Sequence, residues 1–597
     1  MTKKEGKRTG TPDVPADHEA GGRSGSWLRG AAWLGAAALV SKVLGTLQKI
    51  PLQNLAGDRV FGIYNAVYPF YQLLLFLATA GIPVAVSLLV AERRQAGDAE
   101  GMRRVLRAGT VLLGLCGVVG FALMWAGAGA VARWIGDSEA AAAIRIASLA
   151  LWFVPAMAAL RGYFQGMEQM RPSAVSQVVE QSVRVAVMLL LLYAGLTWGW
   201  SDKGLASGAL AGSAAGGAAG LLTMLLFWWR AARRGKPALP AADLERSSVG
   251  EAVNAGSGDE CKGGPAATDH GGGLIRRMLA LAVPVALGSV AIPIFGIVDS
   301  FTIPRLLQGS GLGAPQAMEQ FGQYSRVQPL VQLVVMVAAA AAAALVPALA
   351  AARARGDLTA VARQTSLALR LAWYIGTAAA AGLVLLAEPI NVMLYADNAQ
   401  TRVFALVGST AAAGTLGAVT AAVLQGLGSV RAPAVLMLAA ALLKAALNAV
   451  LVPQHGLAGA AWAGIAALAL PALLGLAAVR RASSSPGHGR ATAAIRPAAA
   501  GVLALACMAA ALVLIGRGAA ALPGWTLPLP TRGAAAALAL TGVAVGAAVY
   551  GAALLRAGAF GAGELRALPG GAKLAARLRR WRLLPAEAET PGQDRRH

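Results

Sequence analysis

Apolar runs of about 20 residues recur along most of this chain, and each is long enough to cross a hydrocarbon core of roughly 30 Å. Of the 597 residues, 57% are hydrophobic and 13% are charged, whereas a soluble domain carries roughly 25% charged residues. The alternating strands of an outer-membrane barrel are absent from the pattern. The sequence therefore predicts an all-α polytopic membrane protein of about fourteen transmembrane helices. Their predicted ranges are 27–53, 62–91, 104–131, 139–160, 173–197, 204–229, 274–304, 321–351, 366–388, 401–425, 432–452, 457–479, 493–516 and 533–555.

Basic residues are concentrated in alternate loops between these predicted helices. The 52 Lys and Arg residues outnumber the 28 Asp and Glu residues, which gives a formal net charge of +24. This asymmetry follows the positive-inside rule and predicts a cytoplasmic (inner) membrane protein with both termini in the cytoplasm. No compact basic domain is present to bind nucleic acid. The first 26 residues are too polar for a signal peptide and are interpreted as a cytosolic tail.

Two stretches of the chain share one pattern at a spacing of 260 residues. Phe-Gly-x-Tyr-x-x-Val-x-Pro-x-x-Gln begins at Phe61 and again at Phe321, and the same spacing takes Arg184 to Lys444. We interpret this as an internal duplication that gives two parallel six-helix lobes around a central cavity, followed by two extra helices. The predicted domains are a cytosolic tail (1–26), an N-lobe (27–230), a disordered cytoplasmic linker (231–273), a C-lobe (274–480), helices thirteen and fourteen (491–556) and a basic cytoplasmic tail (557–597).

Basic side chains inside the predicted helices are candidates for a binding site, because a charge in the membrane interior requires a partner or a water-filled cavity. Lys42 lies deep in the first helix, where it either pairs with an acid or lines such a cavity. Lys49 either snorkels to the outer interface or faces the same cavity. Arg184 follows Glu180 by four residues, a spacing that favours an ion pair on one helix face.

The predicted helices of the second half contain fewer acidic residues close in sequence to their basic residues. Ala440 stands where the repeat would place an equivalent of Glu180, so Lys444 is predicted to be an unpaired cation near the midplane. Arg305 and Arg326 lie near the outer ends of the seventh and eighth helices, where an interfacial position is the default. The predicted substrate-binding residues are Lys42, Lys49, Arg184, Arg305, Arg326, Gln332, Lys444 and Asn448.

The interior charges are mainly cationic and come from both predicted lobes. This pattern favours an anionic substrate, because Lys and Arg give charge-assisted hydrogen bonds to phosphate oxygens. No Walker A sequence, His-Glu metal motif or nucleophile elbow is present. The three cysteines and five histidines are scattered without ligand spacing. We therefore predict a transporter rather than an enzyme, with no cofactor and no metal.

Several short motifs resemble a known family. Ser-Lys-Val-Leu-Gly at 41–45 resembles the Ser-Arg/Lys-Val-Leu-Gly signature of the lipid II flippase family called MurJ. Phe-Gly-x-Tyr at 61–64, Thr-Ala-Gly-Ile-Pro at 79–83 and Asp-Ser-Phe-Thr at 299–302 are similar to the stage V sporulation protein B branch of polysaccharide exporters. The resemblance implies a fold of the multidrug/oligosaccharidyl-lipid/polysaccharide superfamily.

The resemblance implies two lobes that enclose a cationic cavity for the diphosphate and sugars of a substrate. It also implies that the two extra helices form a groove for the lipid tail. Lys42 takes the place of a cavity arginine, and a second arginine of the first helix aligns with Gln48 or Lys49. The arginines that the flippase branch carries in its second helix are missing near Gln72 and Leu73, which makes the sporulation-type branch the nearer expected relative.

The expected function is a flippase that moves an undecaprenyl-diphosphate-linked saccharide, with lipid II as the first candidate, to the outer leaflet by alternating access. The expected partners are this lipid-linked oligosaccharide diphosphate and membrane lipids, with cell-wall synthesis enzymes as further candidates. The expected roles are in peptidoglycan or other polysaccharide synthesis, cell shape or sporulation. The alternatives are a flippase for another polyprenyl-linked glycan, such as a teichoic acid or capsule unit, and a non-transporting scaffold for cell-wall or spore-cortex enzymes. A drug or cation antiporter fits the cationic interior less well.

Overall fold

The computed structural model of the protein describes residues 20–79, 81–233, 271–343, 345–429, 431–482, 490–520 and 532–559. Within these ranges the chain forms eighteen α-helices, one short 3₁₀ helix (Leu149–Trp152) and no β-strand. The helices are α1 (Ala20–Leu47), α2 (Lys49–Thr79), α3 (Ile82–Gln95), α4 (Ala99–Ile135), α5 (Ala140–Ser148), α6 (Val154–Gly166), α7 (Met170–Thr197), α8 (Asp202–Arg233), α9 (Gly271–Gly309), α10 (Ala314–Ser325), α11 (Gln328–Ala343), α12 (Val346–Ala354), α13 (Leu358–Leu385), α14 (Ala387–Tyr395), α15 (Thr401–Gly426), α16 (Arg431–Ala482), α17 (Arg490–Ala520) and α18 (Arg532–Arg556).

Eleven segments of the described chain are long and apolar enough to cross a membrane. Two of them hold two crossings each. Trp33–Gln95 is interrupted at Gly57, which has a φ of 79°, and Arg431–Ala482 is interrupted at Gly456, which has a φ of 58°. Glycine adopts such positive φ angles without a steric penalty, so the chain can turn at both positions. With α9, a helix of 39 residues, the predicted architecture of about fourteen transmembrane helices is confirmed.

Close helix packing in the first lobe depends on a row of glycines in α8. A Cβ atom on Gly212 or Gly216 would overlap the backbone carbonyl oxygens of Arg184 and Glu180 in α7. Small residues at such positions let two membrane helices approach until their backbones touch. The backbone of α7 around Glu180 and Arg184 is therefore fixed against α8.

The two copies of the Phe-Gly-x-Tyr pattern pack directly against each other. A Cβ on Gly62 would overlap the carbonyl oxygen of Met318, and a Cβ on Gly322 would overlap that of Asp58. Gly62 and Gly322 are equivalent positions of the repeat, and so are Asp58 and Met318. The contact therefore has a local two-fold symmetry. We call the end of the bundle that holds this contact, with residues 53–61, 136–139, 310–313 and 396–400, the closed end. The charge pattern predicts that this end lies outside the cell.

Some predicted boundaries fall on residues outside the described ranges. The predicted disordered linker 231–273 is described only at its margins, where α8 ends at Arg233 and α9 begins at Gly271. The tail predicted for 557–597 is described only to residue 559, and α1 begins at Ala20, within the predicted N-terminal tail. These domain limits stay predictions. The two lobes with two further helices, α17 and α18, agree with the predicted fold class.

Candidate functional site

Lys49 is a buried cation with a neutral hydrogen-bond partner. It is 8% exposed, and its Nζ donates to Oδ1 of Asn65 at 2.9 Å. The amide of Asn65 donates in turn to the carbonyl oxygen of Phe61 at 2.8 Å, and the Nζ of Lys49 lies 5.8 Å from the centroid of the Tyr68 ring. Lys49 therefore does not snorkel to the interface. Its position at the start of α2 places a desolvated positive charge inside the bundle.

Lys42 is exposed, and none of the described residues forms an ion pair or hydrogen bond with it. Its helix is fixed on α7 by its neighbours. The Ser41 hydroxyl donates to the carbonyl oxygen of Gln177 at 3.3 Å, and Gly45 faces the Gln181 side chain. Pairing with an acid is therefore not observed. A lysine at this depth requires water around its ammonium group, and the water-filled cavity beside Lys42 stays a prediction.

The predicted ion pair on α7 is confirmed and contains a third member. The Nη2 of Arg184 lies 2.8 Å from Oε1 of Glu180. Glu180 also accepts from Nη2 of Arg161 in α6 at 3.0 Å, and Arg161 donates to the Ser176 hydroxyl at 2.9 Å. The sequence reasoning missed Arg161 because the fourth helix was predicted to end at residue 160, whereas α6 continues to Gly166. The available signal was a basic residue directly after an apolar run.

Lys444 is paired, so the prediction of an unpaired cation was wrong. Its Nζ lies 2.6 Å from Oδ2 of Asp299 and 4.2 Å from the centroid of the Phe295 ring. Both members of the ion pair are buried, with side-chain exposures of 3% and 6%. The prediction looked for an acid on the same helix, where Ala440 stands, but the acid comes from α9. The seventh helix was predicted to end near residue 304, whereas the corresponding helix α9 continues to residue 309.

Arg326 is 1% exposed and does not take the interfacial position that was its default. Its Nε donates to Oδ1 of Asp58 at 2.9 Å, and its Nη2 donates to the other oxygen of Asp58 and to Oδ2 of Asp397 at 2.9 Å. The Tyr395 hydroxyl donates to the carbonyl oxygen of Arg326 at 2.6 Å. Asp58 belongs to the first lobe and Asp397 to the second. We call Asp58, Arg326 and Asp397 the interlobe latch.

Among the described residues, those at the positions equivalent to the latch by the repeat do not form a second latch. The backbone N–H of Ala399 donates to Oδ1 of Asp397 at 2.9 Å, and that of Glu139 donates to Oδ1 of the equivalent Asp137 at 2.9 Å. Burial alone would raise the pKa of Asp397, but the Ala399 N–H and the Arg326 guanidinium outweigh it and hold this pKa below its usual range. The other oxygen of Asp137 is buried and has no hydrogen-bond partner among the described residues.

Of the remaining predicted residues, Asn448 lies beside the Lys444–Asp299 pair, and Arg305 and Gln332 lie apart from these groups. Asn448 in α16 donates to the Thr302 hydroxyl of α9 at 2.8 Å. Arg305 and Gln332 are exposed, and Arg305 lies against Gly136 at the closed end. No group of three or more His, Cys, Asp or Glu side chains that could hold a metal ion occurs in the part of the chain that the structure describes.

The two lobes differ in how far their interior cations are neutralised. We define the N-lobe cation cluster as Lys42, Lys49, Arg161, Glu180 and Arg184. The cluster contains four basic side chains and one carboxylate, which pairs with Arg161 and Arg184, so three positive charges are left over. At the equivalent place in the C-lobe, Asp299 balances Lys444. The expectation that both lobes contribute uncompensated cations at these positions is therefore wrong, and the surplus lies in the N-lobe.

Comparison with known proteins gives consistent matches. Residues 27–353 match the model of a family described as polysaccharide biosynthesis protein. The uncharacterized membrane protein YabM of Bacillus subtilis is 31% identical over 561 residues, which are 93% of this chain and 97% of YabM. The lipid II flippase MurJ of the same organism is 26% identical over 448 residues, 72% of this chain and 78% of MurJ. Stage V sporulation protein B of Bacillus subtilis is 23% identical over 460 residues, which are 76% of this chain and 84% of that protein. These identities give no support to the sporulation branch as the nearer relative.

Solved structures share the fold. The lipid II flippase MurJ in an inward closed conformation superposes with a TM-score of 0.56 at 12% identity, over 87% of this chain and 96% of that chain. A multidrug resistance MATE family transporter in an inward-facing conformation gives a TM-score of 0.57 at 16% identity, over 75% and 96% of the two chains. Both matches concern the fold alone. The residues inside the bundle, rather than the fold, must therefore distinguish a lipid flippase from a drug transporter.

Proposed function

Because the chain belongs to the polysaccharide biosynthesis protein family, we propose that it is a flippase for an undecaprenyl-diphosphate-linked saccharide. The substrate moves from the inner to the outer leaflet by alternating access between the two lobes. The peptidoglycan precursor lipid II is the first candidate, since a lipid II flippase is among the relatives. The protein acts as a transporter and not as an enzyme.

The observation that carries this proposal is the surplus of three positive charges in the N-lobe cation cluster. Burying an uncompensated cation in a membrane protein is costly, so such residues face a polar cavity or a charged ligand. A diphosphate supplies the opposite charge, and lysine and arginine donate charge-assisted hydrogen bonds to its oxygens. A substrate with a positive charge would be repelled by the same cluster, which argues against a cation antiporter.

The packing between the lobes supports access beside α1, because on the other side the Arg277–Glu92 ion pair of 2.9 Å joins α9 to α3 at the end opposite to the closed end. At the closed end the lobes are joined by the Gly62–Gly322 contact and by the interlobe latch. Helix α9 packs closely along α2, whereas the equivalent approach of α1 to α11 is much looser. This difference leaves room beside α1, the helix that carries Lys42. We propose that a lipid-linked substrate reaches the cluster through that opening.

The orientation in the membrane is part of the proposal. The charge pattern of the loops favours a cytoplasmic position for the end opposite to the closed end and for both chain termini, with the protein in the cytoplasmic membrane. A cavity with net positive charge also responds to the membrane potential, at about 2.3 kcal/mol per elementary charge per 100 mV. Return of the empty, cationic cavity toward the negative cytoplasm would be favoured by this potential.

Complementation tests the proposed function. The chain is expressed in a bacterium depleted of its own lipid II flippases, and growth and the accessibility of lipid II at the outer leaflet are followed. Rescue with lipid II exposed outside is the expected result. An expressed and inserted protein that leaves lipid II inside would contradict lipid II as the substrate. Transport of a teichoic acid or capsule precursor by the same protein would then retain the flippase and change its glycan.

A further inference from the structure

Arg161, Glu180 and Arg184 form a group with more hydrogen-bond donors than its single carboxylate can satisfy. Each guanidinium carries five N–H donors and stays protonated. The Nε of Arg184 is buried and has no hydrogen-bond partner among the described residues. The Tyr71 hydroxyl lies close to the Arg184 side chain. The group therefore has spare donors and one spare positive charge.

This group faces the interior of the bundle rather than the lipid. The exposed side chains of α7 at Val175, Ser182, Ala186 and Leu190 form one stripe along the helix. Glu180 and Arg184 are each two residues from Ser182, which is about 200° around an α-helix. They therefore lie on the opposite side from the exposed stripe. The partial exposure of the group, with side-chain values of 10% to 18%, is exposure to the inside of the bundle.

The repeat shows that the fold itself does not require Arg161 or Glu180. Their equivalents at the spacing of 260 residues are Ala421 and Ala440, whereas Arg184 is matched by a second cation, Lys444. The second lobe packs the same pair of helices around two alanines. An arginine and a glutamate that are present in one lobe alone are therefore explained by binding rather than by packing.

We propose that Arg161 and Arg184 bind one phosphate of the transported diphosphate and that Glu180 competes with this phosphate for the same N–H donors. This inference rests on the proposed flippase function and assigns a role to two residues that the function alone does not name. Glu180 holds the arginines in place when the site is empty. When a phosphate enters, it takes over donors that the carboxylate had occupied. Competition of this kind lowers the affinity and raises the rate of release, which a transporter needs in order to turn over.

Binding of undecaprenyl diphosphate to the purified full-length protein in lipid nanodiscs measures the affinity, and movement of fluorescent lipid II in proteoliposomes measures turnover. For Glu180→Gln we expect binding about tenfold tighter and slower turnover, because the competing charge is removed. For Arg161→Ala we expect binding at least about tenfold weaker, because Glu180 then neutralises Arg184 alone. Arg171→Gln is the matched control, since Arg171 is exposed at the start of α7 and should leave both values unchanged.

The double variant Arg161→Ala with Glu180→Ala separates binding from stability. It reproduces the alanines that the second lobe already packs at these positions, and it frees Arg184 from its carboxylate. We expect it to bind undecaprenyl diphosphate several-fold more tightly than Arg161→Ala alone. A purely structural ion pair predicts no such recovery, so its absence in a folded double variant would overturn the role of Glu180 while the flippase function stands. A wild-type protein that neither binds undecaprenyl diphosphate nor moves lipid II would overturn both proposals together.

Discussion

Arg184 and Lys444 occupy equivalent positions in the two lobes and are neutralised in different ways. The acid beside Arg184 is Glu180, four residues away on the same helix. The acid beside Lys444 is Asp299, on the separate helix α9. A pair within one helix is unaffected when helices move apart, whereas a pair between two helices is broken. The Arg184–Glu180 pair is therefore suited to stay intact throughout a conformational cycle, and the C-lobe pair is suited to hold α9 against α16.

The largest effect on stability is expected from Lys444→Met. This change leaves Asp299 buried without its cation, and breaking a buried ion pair in this way costs about 3–5 kcal/mol. The thermal unfolding temperature of the purified protein in detergent should fall strongly.

The repeat supplies the control for this prediction. Leu39 stands at the position equivalent to Asp299, so Asp299→Leu introduces the side chain that the first lobe has there, and combining it with Lys444→Met removes both charges of the pair. We expect the double variant to recover most of the lost stability, because replacing both members of a buried pair by apolar residues is often neutral. A double variant as unstable as Lys444→Met alone would show that the pair is not what fixes α9.

The second largest effect is expected at the two-fold contact of the closed end. In Gly62→Ala and Gly322→Ala the new methyl group meets a backbone carbonyl oxygen that cannot rotate away. Overpacking typically costs about 1–3 kcal/mol, and here it should separate the lobes. Cysteines placed in both lobes at the closed end should cross-link less in either variant, and to the same extent. A strong effect at one glycine with none at the other would contradict the symmetry of the contact.

Much of the fold could be predicted because its signals are local in sequence. Apolar length indicated the fourteen helices, and the spacing of 260 residues indicated the two lobes. The ion pairs between helices could not be predicted in the same way. Lys444 and Asp299 are 145 residues apart, and Arg326 and Asp58 are 268 residues apart. The repeat even misled the interpretation of Lys444, because the two lobes take their acids from different helices.

A smaller effect on stability is expected from Arg184→Met. Glu180 keeps its hydrogen bond to Arg161, so no buried carboxylate is left alone. The loss should be about 1 kcal/mol, the net value of a typical hydrogen bond, while transport falls sharply. Thermal unfolding and lipid II movement measured on the same preparation separate these effects. A loss of stability equal to that of Lys444→Met would remove the contrast between the two lobes.

The smallest effect is expected from acid at the interlobe latch. The pKa of Asp397 lies below its usual range, so its ionised form stabilises the closed end above the unfolded pKa of about 3.9. This contribution is lost as the pH falls through the lower, folded pKa. Cross-linking at the closed end should weaken below about pH 4, and less so in Asp397→Asn. An equal weakening in that variant would mean that another group titrates.

The central claim is that the N-lobe, and not the C-lobe, carries the charge that binds the substrate. The direct test is the affinity for undecaprenyl diphosphate of Lys42→Gln beside that of the double variant Asp299→Leu with Lys444→Met. We predict about a tenfold loss for Lys42→Gln, which removes one of three surplus charges. For the neutral C-lobe double variant we predict an affinity within about twofold of the wild type. Loss of binding in the double variant, with full binding in Lys42→Gln, would contradict this account.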